Sequence, residues 1–180
     1  MILASKSPRR FDLLKEMGYE FNVKVSDVDE NINESDPIKL VEKLSLMKAK
    51  AVFEENEVII ASDTIVVLDN EIYGKPKNKE NAFEMLKKLS GRTHNVISGL
   101  CVIYNEKIVV THDITEVSFK EIQDNEIIQY IETQEPMDKA GAYAIQGIGK
   151  KFVKSIKGPY NNVIGLPTEK LAETLKTFTL

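Results

Sequence analysis

The sequence predicts an α/β domain. Helical and strand-like hydrophobic patterns alternate from end to end, β-branched runs sit between capped amphipathic segments, and no repeat or low-complexity stretch interrupts them. With 180 residues, a single domain spanning 1–180 is expected. A chain of this size buries roughly 70% of its unfolded surface and needs no covalent staples.

The elements follow in order. "MILA" reads as a strand and "SKS" as a loop, followed by the helix "PRRFDLLKEM", closed by Gly18. Ser7 suits the N-cap, Pro8 the first helical position, and Phe11, Leu13, Leu14 and Met17 the buried stripe. "YEFNVKV" alternates like a strand. Asp36-Pro37 opens a second helix with Leu40, Leu44, Met47 and Ala51 at helical spacing. "EVIIASDTIVVLD" holds two short β-branched runs around Ser62-Asp63-Thr64, and a turn at Asn70 and Glu71 leads to "IYGKP". "KENAFEMLKKLS" is a third helix ended by Gly91. "HNVISGLCVIYNEKIVVTHDITEVSF" reads as strands with a turn near Asn105, and "DNEIIQYIETQ" as a helix capped by Asp124. The glycine-rich "GAYAIQGIGKKFVKSIKGPYNNVIGLP" mixes turns and short strands, and "PTEKLAETLKTF" is a last helix with Thr168 as cap.

Composition narrows the function classes. Hydrophobic residues make up 42% and charged residues 29%, as in soluble globular proteins. The lone Cys101, inside "LCVIY", rules out an internal disulfide or a cysteine-rich metal site and reads as core packing. No apolar run approaches the ~20 residues of a membrane span, and no secretory leader is evident, so the cytoplasm is the expected compartment. The net charge of -4 and the lack of a basic stripe with interleaved aromatics argue against a nucleic-acid polymer as partner. A local cationic pocket for a small anion remains compatible with that balance.

One such pocket is suggested by "SKSPRR". A helix N-terminus leaves amides free and favours an anion, and here Ser5, Ser7, Lys6, Arg9 and Arg10 surround it. A phosphate chain suits the loop; a capped surface helix with solvated cations is the alternative. In "ASDTIVV", Asp63 interrupts an apolar β run, which is costly unless the acid is paired, exposed at a strand end or metal-bound. It suits a general base or metal ligand, against a bulge acid bonded to backbone. The acidic "SDVDENINE", with Asp27, Asp29, Glu30 and Glu34, offers oxygen ligands for Mg²⁺ or Mn²⁺, or is merely a solvated loop. Lys75 in "YGKPK" can serve a phosphate as a point charge or face water. His94 and His112 have no metal-pair spacing and read as structural or surface residues. The glycine segment fails both nucleotide fingerprints: Lys151 follows Gly149-Lys150 where a Walker loop needs Ser or Thr, and Phe152 stands where a dinucleotide loop needs glycine.

In order, "ILASKSPRR", "VDE", "ASDT", "GKP", "LSGRTH", "DKAGAYAIQG" and "NNVIGLP" resemble the Maf family of nucleotide pyrophosphatases, over Ile2 to Pro167. The resemblance implies a mixed, twisted sheet flanked by helices around a deep cleft, as in inosine-triphosphate pyrophosphatases. It implies cleavage of a nucleoside triphosphate to monophosphate and pyrophosphate with a divalent cation, Mg, Mn or Co. Residue by residue, it makes Asp63 the proton acceptor and a metal-linked acid, and Glu30 an acid near the metal. Ser5, Arg10 and Lys75 fall at the phosphates, and Lys48 of "LMKAKA" matches a cleft lysine. A homodimer is compatible with the family, although no sequence stripe marks one.

Three positions bear on the base. Arg9, Thr64 and Gln146 resemble the dTTP/UTP subfamily, whereas relatives acting on 7-methyl-GTP carry tryptophan, glutamine and glutamate. An amide at Gln146 can donate to a uracil or thymine carbonyl and accept from the ring N–H. Tryptophan would stack on a cationic methylated base, which Arg9 would repel. Normal and modified pyrimidine nucleotides both fit. The rival reading is a nucleotide-binding regulator of septum formation without essential turnover, which would have no need of an acid at Asp63.

Overall fold

The computed structural model describes residues 1–178; residues 179 and 180 of the expected domain lie outside the described residues. The strands are β1 (Ile2–Leu3), β2 (Asn22–Val23), β3 (Ile59–Leu68), β4 (Glu71–Tyr73), β5 (Thr93–Tyr104), β6 (Lys107–Phe119) and β7 (Val153–Lys157). The helices are α1 (Pro8–Glu16), α2 (Pro37–Ala51), α3 (Lys79–Leu89), α4 (Asp124–Glu132), α5 (Tyr160–Ile164) and α6 (Thr168–Leu175). One mixed sheet runs in the order β2-β1-β3-β5-β6-β7, with β4 also on β3. β1 is parallel to β2 and β3; the other pairs are antiparallel. This is the mixed α/β architecture expected.

The pairing of β3 shapes the molecule. β5 runs along it from Ile59 to Val67 and so occupies one whole edge. β1 at Ile59 and Ile60, and β4 at Val66 to Leu68, must therefore share the other edge. Between them, residues 61–65 have no strand partner on that side, and Asp63 lies in the middle. Strand alternation sends Ile59, Ala61, Ile65 and Val67 to one face, where they pack with Val41, Ala49 and Val52 of the α2 region. Ile60 packs on the opposite face with Leu13 and Leu14 of α1, Ile164 of α5, and Leu171 and Leu175 of α6. Val66 and Leu68 join a third cluster with α3, α4 and Tyr143.

Gly99 explains how closely α2 approaches. It stands opposite Asp63 in the β3–β5 register, and a Cβ there would come within 2.2 Å of the Val41 carbonyl oxygen. Any side chain would push the helix off the sheet beside Asp63.

Several local expectations are corrected. The two runs around Asp63 form one continuous strand; what breaks is its neighbour, not β3 itself. "YEFNVKV" pairs only at Asn22–Val23, at the edge of the sheet. The buried face of α2 is Val41, Leu44, Ser45, Lys48 and Ala49 instead of Leu40, Leu44, Met47 and Ala51. A lysine can sit on that face because carboxylates meet it there. The β3–β4 turn is Asp69-Asn70, both with positive φ of 51° and 64°, and Glu71 already belongs to β4. Gln123, not Asp124, is the N-cap of α4, its amide donating to Glu126 at 3.1 Å. Thr168 is the first residue of α6, and its hydroxyl accepts from Asn161 Nδ2 at 3.0 Å. The glycine segment holds the unexpected short α5, and 3-10 turns span Glu135–Asp138, Ala140–Ala142 and Gly147–Phe152. Cys101 is buried, as expected of a core residue.

Candidate active site

A cleft of about 720 Å³ opens at the bare edge of β3. Ser5, Arg9, Arg10, Glu30, Lys48, Asp63, Thr64, Lys75 and Gln146, the residues that the family resemblance assigns to the site, line it, whereas Asp27, Asp29 and Glu34 of the acidic loop do not: Glu34 pairs with Lys43 and Asp29 accepts the Asn31 amide. The lining residues come from the β1–α1 loop, the first turn of α1, the acidic loop before α2, α2 itself, β3, the β4–α3 turn and the glycine segment.

Neighbouring residues of β3 serve opposite faces of the sheet. Asp63 is 7% exposed and points toward α2, where Lys48 Nζ donates to its Oδ1 at 2.5 Å. Lys48, also 7% exposed, lies 3.1 Å from Glu30 Oε1. The ammonium thus meets two carboxylates, which offsets the cost of burying it on an apolar helix face. Asp63 makes no other side-chain hydrogen bond among the described residues, so Oδ2 is available to the cleft.

Thr64 faces the other way, into a network around Arg10. The Arg10 Nε donates to the Gly165 carbonyl at 2.7 Å, Nη2 to Thr64 Oγ1 at 3.3 Å and Nη1 to Ser5 Oγ at 3.4 Å. Thr64 Oγ1 also lies 2.8 Å from Ser98 Oγ, and Ser62 Oγ donates to the Gly165 carbonyl at 3.0 Å. The α1 cap forms as its sequence indicates: Ser7 Oγ accepts the Arg10 amide, and Ser5 Oγ accepts the Ser7 amide at 3.1 Å. Burial lowers the Arg10 pKa from the ordinary guanidinium value and Arg9 adds to this, while Asp63 and Glu30 oppose it. A guanidinium remains charged throughout the working pH range.

The opposite wall is the segment from Asp138 to Gln146. Arg9 Nη1 reaches Asp138 Oδ2 at 3.4 Å, and Lys139 Nζ donates to Asp138 at 2.6 Å and to the Glu135 carbonyl at 2.6 Å. Gln146 is exposed just before the 3-10 turn, and Lys75 is exposed with no ion pair among the described residues. Lys6 of the predicted anion loop lines the cleft too, as do Asp138 and Lys139, which were not singled out in the sequence. The adjacent acid and base of "DKAG", followed by no further charge until Lys150, were the available signal.

The donor set of the cleft suits a hard divalent cation. Glu30 and Asp63 supply hard carboxylate oxygens, and no cluster of three or more His, Cys, Asp or Glu converges among the described residues. Such a set suits an Mg²⁺-like ion that completes its shell with substrate oxygens and water, and is poor in the N and S ligands of zinc. Both histidines are structural. His94 Nε2 lies 2.8 Å from Tyr143 Oη and burial lowers its pKa to about 4, while His112 Nδ1 lies 2.7 Å from Glu42. Among the described residues, no helix is long and apolar enough to cross a membrane.

The chain is similar to known proteins along its length. The chain is 50% identical over 183 residues to the dTTP/UTP pyrophosphatase of Desulforamulus reducens, covering 99% of this chain and 96% of that protein. Proteins of the same name from Aquifex aeolicus and Clostridium perfringens are 46% and 47% identical, each across 100% of this chain and 96% and 97% of their own. The Staphylococcus aureus Ham1 protein superposes with a TM-score of 0.48 at 17% identity, covering 66% of this chain and 70% of that one. The family described as Maf-like protein matches residues 1–178, and the chain belongs to that family.

Proposed function

We propose that the protein hydrolyses dTTP and UTP to the monophosphate and pyrophosphate. The observation that carries the reading is the buried Asp63–Lys48 pair at the unpaired edge of β3, lining one cleft with the cationic β1–α1 loop and the first turn of α1. The shared name of full-length relatives at 46–50% identity supports the substrate.

In this reading the triphosphate lies along the β1–α1 loop, with Ser5, Arg10 and Lys75 against its oxygens. Arg10 is held on Gly165 and Thr64 before substrate arrives, so little reorganisation is needed. Asp63 orients a water toward the α-phosphorus and takes its proton. The water oxygen bonds to phosphorus as the bond to the bridging oxygen breaks, and pyrophosphate leaves with that electron pair. Lys48 holds the Asp63 carboxylate in place and adds positive charge at the phosphates. Glu30 and Asp63 would hold a divalent cation, which when bound neutralises phosphate oxygens and stabilises the leaving group. Gln146 meets the edge of the pyrimidine, with Arg9 and Thr64 completing the selection.

The test is pyrophosphate release from a panel of nucleoside triphosphates with added Mg²⁺, Mn²⁺ or Co²⁺. Release is expected from dTTP and UTP, accompanied by the monophosphate. No release from any nucleotide, or orthophosphate as the first product, would overturn the reading.

A further inference from the structure

Gly147 and Gly149 match no nucleotide-binding fingerprint, yet the turn they form is tightly built. Glu135 lies beneath it. Its Oε2 accepts the Ile148 amide at 3.0 Å, and its Oε1 accepts the Gly149 amide at 2.9 Å and the Tyr130 hydroxyl at 2.9 Å. The Tyr130 oxygen in turn accepts the Ala144 amide at 3.1 Å. The contacts fall on both sides of Gln146: residue 144 before it, residues 148 and 149 after it.

The glycines are explained by the same pair. Gly147 has φ of +71°, and a Cβ there would come within 2.6 Å of Glu135 Oε2. A Cβ on Gly149 would come within 2.5 Å of the Tyr130 hydroxyl oxygen. The turn is therefore moulded onto a carboxylate and a phenol, and Tyr130 is itself only 1% exposed on α4.

We infer that Glu135, acting with Tyr130, is a positioning residue for base recognition: it fixes the backbone on either side of Gln146 and so sets where that amide meets the pyrimidine. This rests on the dTTP/UTP reading and names a residue that acts through Gln146. An ionised carboxylate is required, because three donors converge on its two oxygens. A glutamine would present an N–H₂ group to at least one of them. Burial favours the neutral acid, but the Gly149 and Ile148 amides, the Tyr130 hydroxyl and Lys139 together hold Glu135 below the ordinary carboxylate range.

The test compares Glu135→Gln, Tyr130→Phe and Gly147→Ala with the parent, measuring kcat and KM for dTTP, UTP and CTP together with Tm. CTP carries an amino group and an unprotonated ring nitrogen where UTP has a carbonyl and an N–H, so a Gln146 amide held in one orientation would distinguish them. The expected result for Glu135→Gln is a KM for dTTP and UTP raised about tenfold, the equivalent of one charge-assisted contact. Its kcat should stay within about twofold and its UTP-over-CTP preference should fall by a similar tenfold, since Gln146 no longer sits in register. Tyr130→Phe keeps the ring in the core and should move the same ratios by less. Gly147→Ala should reproduce the pattern with Glu135 intact. A preference ratio does not depend on the fraction of folded protein. Variants that lose Tm, or lose kcat equally for all three nucleotides, while keeping the parent's UTP-over-CTP ratio would overturn the inference. A parent that releases no pyrophosphate would overturn the functional reading beneath it, and the clamp with it.

Discussion

The two walls of the cleft are built differently. The wall proposed for chemistry is regular structure: Asp63 on a ten-residue strand, Lys48 on a fifteen-residue helix, and Arg10 in a nine-residue helix tied to that strand. The wall that carries Gln146 is three short 3-10 turns between Glu135 and Phe152, with few ladder bonds and one carboxylate at its centre, while Arg9 and Thr64, which complete the proposed selection, stand on the regular wall. Continuous strands and helices hold reacting groups to a fraction of an ångström. A turn segment can be retuned for another base without disturbing them.

Replacing Asp63 by Asn should cut turnover of dTTP and UTP alike by about 10²–10⁴-fold, leave their ratio unchanged and keep the circular dichroism spectrum; near-normal turnover would remove Asp63 as the base. Acid should act first behind the selective wall. His94 is buried neutral with a pKa lowered from 6.5 to about 4, so the unfolded chain binds its proton first as pH falls. Stability is then full above 6.5 and declines toward about 4, by about 3 kcal/mol from this group. Urea titrations across that window should show the decline, and His94→Gln should flatten it. A slope unchanged in the variant would assign the acid sensitivity elsewhere.

Gln146→Glu should reduce kcat/KM for dTTP by about 10–100-fold, the cost of one mismatched polar contact, with Tm close to the parent's. Equal loss of activity with every nucleotide would place Gln146 among the chemical groups instead. Gly99→Ala is the smallest change and the most diagnostic of the regular wall. Displacing α2 should cost about 1–3 kcal/mol and lower turnover for dTTP and UTP by the same factor; an altered dTTP:UTP ratio would contradict the division between walls.

The sequence is an uneven guide to these two walls. The α1 cap is legible because Ser7-Pro8 is a local signal, and Asp63 stands out because an acid breaks a β-branched run. Lys48 is harder to see: it lies one turn after Leu44 on the buried face, and its partners are 15 and 18 positions away. The missing partner of β3 has no local trace at all. It arises because β1 and β4, far apart in sequence, share one edge and do not meet. Glu135 is likewise silent, since two of its partners are backbone amides, which every residue but proline carries. Only the glycines above it hint at a close approach, and they resemble fragments of motifs that the segment does not contain.

The bond from Arg10 to the Gly165 carbonyl spans 155 positions. A ribosome adding about 5–20 residues per second needs roughly 8–30 s to make that stretch, so Arg10 emerges long before its anchor. Until residue 165 is out and α5 has closed, the guanidinium has no fixed direction, and the anion site exists only as loose charge on a growing chain. Activity should therefore appear abruptly, once residue 165 has joined the fold.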